Sequence, residues 1–419
     1  ERNERLAIAF KKVKGGVCSP IGFSGGAASC GIKDPGNPRL DLALIYSKYP
    51  CVSAGTFTSN RVKAAPVKVT QAHLRTRELR AIVANSGNAN ACTGVPGIED
   101  ARTMAKAVAA TLDLRQREVG VCSTGVIGLP LPMDRMKTGL AGLADHLSAR
   151  GGSEVARAIM TSDTTVKEIS ISATVGGRKV RIGACAKGAG MICPSMATML
   201  CFVTTDANIS KACLQKTLLE AVEGSFNRIC IDGDMSTNDT VLLLANGQSG
   251  GKPIARGSQA CREFCEALQH VLLELAKACV RDGERVSKFI TLEVVGASVY
   301  LDAKKVAEAI AKSALVKSSW NGDDPNWGRI IHAIGYSRAR IREELIDISY
   351  DGKPACEGGL MARTPIRTLR DIAAKDSFTI TVNLHLGKAD YTIYTSDISP
   401  DYIDFNRSEY SYWKNAGVD

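Results

Sequence analysis

Four short stretches of this sequence combine hydroxyls, amides and small residues where a strand is expected to end. They are Asn85-Ser86-Gly87-Asn88-Ala89-Asn90, Ser123-Thr124-Gly125, Lys187-Gly188-Ala189-Gly190 and Asp282-Gly283-Glu284. Exposed strand-end loops are where a rigid scaffold presents reactive groups. The chemistry such groups suit is acyl transfer, which needs an activated nucleophile and donors for a developing oxyanion. A threonine hydroxyl is a weak nucleophile unless a base lies beside it. At a chain N-terminus, the residue's own α-amine can take that proton. The amine's ordinary pKa, about 7.7–8.0, suits a general base near neutral pH. Composition alone does not single out Thr198 for this role, because Met196-Ala197-Thr198-Met199-Leu200 also reads as an ordinary buried strand.

Other suggestive runs carry less. Lys187-Gly188-Ala189-Gly190 lacks the following Gly-Lys-Ser/Thr of a phosphate loop. Asp232-Gly233-Asp234 and Asp323-Asp324-Pro325-Asn326 pair carboxylates without calcium-loop spacing, and they read as tight turns. The fourteen cysteines include no CxxC pair, and the five histidines no HxxxH spacing. No metal site is expected. Most cysteines have apolar neighbours and read as reduced, buried small hydrophobes in a cytosol-like compartment.

The elements that would position these groups alternate without a repeat or a low-complexity linker. Arg80 to Ala84 reads as a strand, and the polar residues Asn85 to Asn90 as a loop, since six such residues do not suit a core strand. Asp100 to Leu114 has helical spacing, and Val119 to Cys122 is a strand ending at Ser123-Thr124-Gly125. Ile169 to Val175 and Lys179 to Ala186 form a hairpin about Gly176-Gly177. A new strand runs from Thr198 to Thr204. Ser210 caps a helix burying Leu214, Leu218, Val222 and Phe226. A longer helix, from Gln259 to Val280, carries the stripe Phe264, Leu268, Val271, Leu272 and Leu275. Asp302 caps another, with Val306 and Ile310 inward. Leu345 to Tyr350 turns at Asp351-Gly352, and Phe378 to Leu386 at Gly387-Lys388. This order implies an α+β fold in layers rather than a regular βαβ repeat.

With 419 residues, 45% of them hydrophobic, the chain can bury two or three lobes. No apolar run reaches the roughly 20 residues of a membrane span. The first residue is Glu1 rather than Met, which leaves room for a trimmed leader. The net charge of +10 is uneven. Residues 1–197 hold 27 Lys and Arg against 14 Asp and Glu, and residues 198–419 hold 26 against 29. The basic residues are dispersed and no aromatics interleave with them, which argues against a nucleic-acid surface. The asymmetry suits mutual attraction of two pieces, or the drawing in of small anionic substrates.

Seven segments carry a family resemblance. They are Asn85 to Gly94, Cys122 to Gly128, Met160 to Thr164, Lys187 to Ile192, Met196 to Leu200, Asp282 to Glu284, and Asp324 to Arg329. In this order the chain resembles the ornithine acetyltransferases (glutamate N-acetyltransferases) of arginine biosynthesis. The resemblance implies a self-processing, N-terminal-nucleophile-type acyltransferase with a layered αβ-sandwich fold. It implies autoproteolysis between Ala197 and Thr198, giving an α-chain of residues 1–197 and a β-chain of residues 198–419. Two of each are expected to assemble. Thr198 then takes the acetyl group from N-acetylornithine and passes it to glutamate, its free amine acting as base. Thr124 and Gly125 match oxyanion-hole positions. Thr161, Lys187, Thr198, Glu284, Asn406 and Ser411 match substrate-binding positions. No resident cofactor is implied, and acetyl-CoA stays open as a further donor. The compartment is cytoplasmic, or an organelle in a eukaryote. Three departures stand out: Ser195 where Asn is common, Arg285 where Gly is usual, and the tail Tyr412 to Asp419. The rival on the same architecture is a self-processing aminopeptidase, which gives its acyl group to water.

Overall fold

The computed structural model describes residues 9–32, 36, 38–193 and 199–407. By contact the chain divides into two units. The first is Glu1–Gly188, Thr198–Phe226 and Ser236–Ala276; the second is Ala189–Ala197, Asn227–Met235 and Lys277–Asp419. This division concerns packing, whereas the expected boundary after Ala197 concerns a covalent bond, so neither bears on the other.

The first unit holds two sheets. One has the order Phe10–Lys12, Lys167–Val175, Arg178–Lys187, Leu200–Thr205, Thr240–Ala245, Val52–Phe57. The other has the order Phe23–Ala28, Leu42–Ser47, Ala81–Asn88, Val119–Val126. Alternation of side chains along a strand decides what each face meets. Ala43, Ile45, Ile82 and Ala84 of the second sheet share a core with Leu200, Phe202, Leu242 and Leu244 of the first. Their neighbours Leu42, Leu44, Ala81 and Val83 turn the other way, onto Ala101, Met104 and Val108 of the helix Gly94–Thr111. The helix Lys211–Glu223 packs on Val52–Phe57. Helix and sheet layers therefore stack on two facing sheets, the α+β layered sandwich expected.

In the second unit, a seven-stranded mixed sheet runs in the order Ile229–Cys230, Ala389–Ser396, Phe289–Ala297, Ser377–Asn383, Asp347–Tyr350, Lys353–Glu357, Leu360–Met361. Ile290, Leu292 and Val294 point from its third strand, Phe289–Ala297, into a core with Val306, Ile310, Trp320 and Ile334 of the helices Tyr300–Lys312, Ala314–Asn321 and Trp327–Tyr336. Among the described residues, no helix is long and apolar enough to cross a membrane.

Several local expectations hold. The hairpin forms with Lys167–Val175 antiparallel to Arg178–Lys187, and Gly176 and Gly177 both take positive φ. The Ser210 hydroxyl accepts the Cys213 N–H at 3.4 Å as the cap of its helix. The helix Gln259–Arg281 buries Phe264, Leu268, Val271, Leu272 and Leu275. All fourteen cysteines are free thiols, and most are buried.

Others need correction. Asn85 to Asn88 are not loop but the buried end of Ala81–Asn88, because distant groups satisfy their polar atoms. Asp302 does not cap its helix. It lies in the first turn, buried, its carboxylate held by the Arg340 guanidinium at 2.9 Å. Ser377–Asn383 and Ala389–Ser396, joined through Gly387-Lys388, are not neighbours, since Phe289–Ala297 pairs with both and lies between them.

Candidate functional site

In the first unit, the strand Val119–Val126 runs parallel to Ala81–Asn88. The register sets Ser123 beside Asn85, Thr124 beside Ser86 and Gly125 beside Gly87. Gly125 has φ +136°, and a Cβ there would lie 2.2 Å from the Gly87 carbonyl carbon, so only glycine permits this approach. The polar strand ends are tied inward. The Ser123 hydroxyl donates to Asn85 Oδ1 at 2.6 Å, and Asn85 Nδ2 donates to the Asn88 carbonyl at 2.9 Å. The Ser86 hydroxyl donates to the Ala158 carbonyl at 2.7 Å. Asn238 Nδ2 bridges the carbonyls of Ala89 at 2.7 Å and Ser123 at 2.8 Å. Thr124 is thus held on a fixed backbone, and it is buried rather than exposed.

Lys187 is also buried, 3% exposed, and ends a strand instead of lying in an exposed loop. It pairs with Leu200, which pairs in turn with Thr240, so one rung crosses three strands. Near that rung are two carboxyls. Asp163 accepts the Lys167 ammonium at 2.7 Å and the Gly188 N–H at 2.8 Å on Oδ1, and the Thr161 N–H at 3.0 Å on Oδ2. Burial would raise its pKa, but the Lys187 and Lys167 ammoniums and these hydrogen bonds hold it well below the usual carboxylate range. Asp239 accepts the Met199 N–H at 3.0 Å on Oδ1. Burial pushes this carboxyl well above its ordinary value, against the Met199 N–H and the Lys187 charge. The Thr240 N–H donates to the Met199 carbonyl at 3.0 Å, so both backbone groups of Met199 are held.

In the second unit, Glu284 donates its N–H to the Ala189 carbonyl at 2.8 Å, and its carboxylate receives Asn406 Nδ2 at 3.2 Å. A Cβ on Gly190 would come within 2.5 Å of that carboxylate, which would have to shift to admit it. Asn406 ends the helix Pro400–Asn406, capped by Ser399. Arg285 has φ +56° and places its guanidinium 5.1 Å from the Phe405 ring centroid. The Asp232 turn does more than reverse the chain. Its carboxylate accepts the N–H groups of Met191 at 2.5 Å, Ile192 at 2.8 Å and Asp234 at 3.1 Å.

The site residues thus fall into two groups: Thr124, Gly125, Thr161 and Lys187 in the first unit, and Glu284 and Asn406 in the second. Ala197, Thr198 and Ser411 lie outside the described residues. Sequence reasoning passed over Asn238 and Asp239 and assigned no role to Asp163. The available signal for the first two was the polar run Thr237-Asn238-Asp239-Thr240 directly before the apolar Val241 to Leu244. Among the described residues, no group of three His, Cys, Asp or Glu could hold a metal ion.

Comparison with known proteins agrees with the resemblance. The model of the ArgJ family matches residues 24–411. The arginine biosynthesis bifunctional protein ArgJ of Symbiobacterium thermophilum is 45% identical over 394 residues, covering 94% of this chain and 98% of its own length. Its counterpart in Geobacter sulfurreducens is 46% identical over 386 residues, covering 92% and 98%. A solved chain of ornithine acetyltransferase complexed with ornithine, from Mycobacterium tuberculosis, is 41% identical with a TM-score of 0.41, covering 45% of this chain and 99% of its own. With the family matched across nearly its whole length, the chain belongs to the ArgJ family and is an acyltransferase of arginine biosynthesis.

Proposed function

We infer that the chain moves an acetyl group from N-acetylornithine to glutamate through an acetyl-Thr198 intermediate, after cutting itself between Ala197 and Thr198. The observation that carries this reading is the match over 94% of the chain to a protein of arginine biosynthesis. In the cut, the Thr198 hydroxyl attacks the Ala197 carbonyl, the C–N bond breaks and the nitrogen takes the hydroxyl's proton. Water then hydrolyses the ester, leaving a carboxylate on Ala197 and a free amine and hydroxyl on Thr198.

In transfer, that amine takes the hydroxyl proton while Oγ1 attacks the acetyl carbon. Thr124 and Gly125 stabilise the oxyanion, an arrangement supported by their pinned strand end. Ornithine leaves with the proton on its nitrogen; the α-amine of glutamate then attacks the acetyl ester, the bond from the acyl carbon to Oγ1 breaks, and the proton lost by the amine returns to Oγ1. Lys187 and Asn406 offer donors to a substrate carboxylate, and Glu284 offers a carboxylate to an ammonium. Thr161 and Ser411 complete the substrate positions. No resident cofactor enters any step. Acetyl-CoA is proposed as a second donor to the same hydroxyl. Two α and two β chains form the assembly.

A denaturing gel of wild type should show two pieces, the second reading Thr-Met-Leu-Cys from its N-terminus. Thr198→Ala should stay whole and inactive. N-acetylornithine and glutamate should give parallel double-reciprocal lines, and omitting glutamate should leave one acetyl group on the β-chain. Intersecting lines without an adduct would overturn the covalent role of Thr198. Steady release of acetate or cleaved peptide, with no acetylglutamate, would point to the aminopeptidase instead.

A further inference from the structure

The Asp163 carboxylate has more partners than a turn needs. It lies between the helix Gly152–Ala158 and the strand Lys167–Val175, and it is 7% exposed. An Asn or Ser side chain could satisfy a local backbone N–H at such a turn. Here one oxygen holds the Thr161 N–H, and the other holds the Gly188 N–H from a segment 25 residues away. Lys167, itself buried, supplies a salt bridge at 2.7 Å. A buried carboxylate is costly unless paired and hydrogen-bonded, and this one is both. Two ammoniums, those of Lys187 and Lys167, act on it, while the other carboxyl near Lys187, on Asp239, is driven toward its neutral form. The charge on Asp163 is therefore retained in the folded chain, which makes it a strong acceptor for both backbone N–H groups.

We propose that Asp163 is a positioning residue for acetyl transfer: one carboxylate sets the loop carrying Thr161 and the strand end carrying Lys187 in a single frame. This rests on the proposed function, which places Thr161 and Lys187 against substrate. Asp163 touches no substrate itself. It acts by fixing the peptide after Lys187 and the amide of Thr161, each by a hydrogen bond of 3.0 Å or less. Displacing such groups by about 1 Å can cost on the order of 10²-fold in rate.

The test compares wild type, Asp163→Asn, Asp163→Glu and Lys167→Met by thermal melting and by steady-state transfer from N-acetylornithine to glutamate. Asp163→Asn keeps the size and one acceptor but loses the charge and one backbone partner. It should remain folded at the assay temperature, with kcat/KM for N-acetylornithine reduced by about 10- to 100-fold. Lys167→Met removes the salt bridge but leaves both backbone contacts. It should lose as much melting temperature as Asp163→Asn while keeping kcat/KM near wild type. Activity that falls in step with melting temperature in both variants would make the role structural only and overturn the proposal. Wild-type KM and kcat in Asp163→Asn would overturn it as well. Should Asp163→Asn not fold, Asp163→Glu is read instead. It keeps the charge but displaces the carboxylate by one methylene, so a folded protein with wild-type kinetics overturns the proposal and a folded protein with impaired kinetics supports it. Absence of transfer in wild type would remove the proposed function, and this inference with it. Normal transfer in wild type with unaffected variants removes the inference alone.

Discussion

At the scale of single residues, Asp239 is a carboxyl removed from water. It is fully buried, with one oxygen on the Met199 N–H at 3.0 Å. Its pKa in the folded chain is raised above the roughly 3.9 of an unfolded aspartate. Between those two values, the native state holds a proton that the unfolded state has released. Stability therefore falls as pH rises through that window. Asp239→Asn keeps an acceptor for the Met199 N–H and removes the titration. Its melting temperature should gain on wild type as pH rises from about 4, then level off above the native pKa. Parallel melting curves for the two proteins from about pH 4 to 8 would show that the carboxyl is not raised.

At the scale of elements, the paired ends of Ala81–Asn88 and Val119–Val126 carry the demand. Gly87 and Gly125 both take positive φ, +100° and +136°, where the two backbones press together. Gly125→Ala must move the Gly87 peptide or change its own φ. It should lower unfolding free energy by about 1–3 kcal/mol in urea titration. It should also reduce transfer, since Gly125 is proposed as an oxyanion donor. Gly142→Ala is the comparator. It ends the helix Met133–Gly142 with φ −92°, and a Cβ there meets nothing within 4 Å. That variant should gain about 0.4–1 kcal/mol, by restricting the unfolded chain. Equal losses in the two variants would mean that backbone crowding at Gly87 is not what requires glycine at 125.

For the whole molecule, the cysteines give a measurable map of what is closed to solvent. Only Cys92 is exposed, Cys30 and Cys265 are half-buried, and the other eleven are buried. Burial pushes Cys51 up to about 12, and the nearby Glu78 charge adds a smaller push in the same direction. It raises Cys122 as well. Because the thiolate is the reactive form, such groups should resist a disulfide reagent near pH 8. One thiol should react quickly, two more slowly, and all fourteen only after denaturation. Rapid reaction of many thiols in the native protein would contradict the packing. The charge asymmetry, +13 before residue 198 and −3 from it onward, belongs to this scale too, since it concerns the two proposed chains as wholes.

The sequence by itself determined the features whose causes are local. Gly176-Gly177 makes the hairpin because both positions need positive φ. Ser210 caps its helix through an N–H three residues on. The stripe from Phe264 to Leu275 is buried because its spacing fits one helical face. The ordered segments were also enough to identify the family, since such runs depend on residue order alone. Tertiary structure decided the polar residues. Asn85 to Asn88 could be read as a loop until acceptors at Ala158, Leu129 and Pro130, and the Ser123 donor, appeared around them. Asp163 and Asp239 acquire meaning only from partners 25 and 40 residues away. An apolar side chain needs only burial, which periodicity announces. A buried polar one needs a particular partner at hydrogen-bond distance, and only the folded chain brings that partner there.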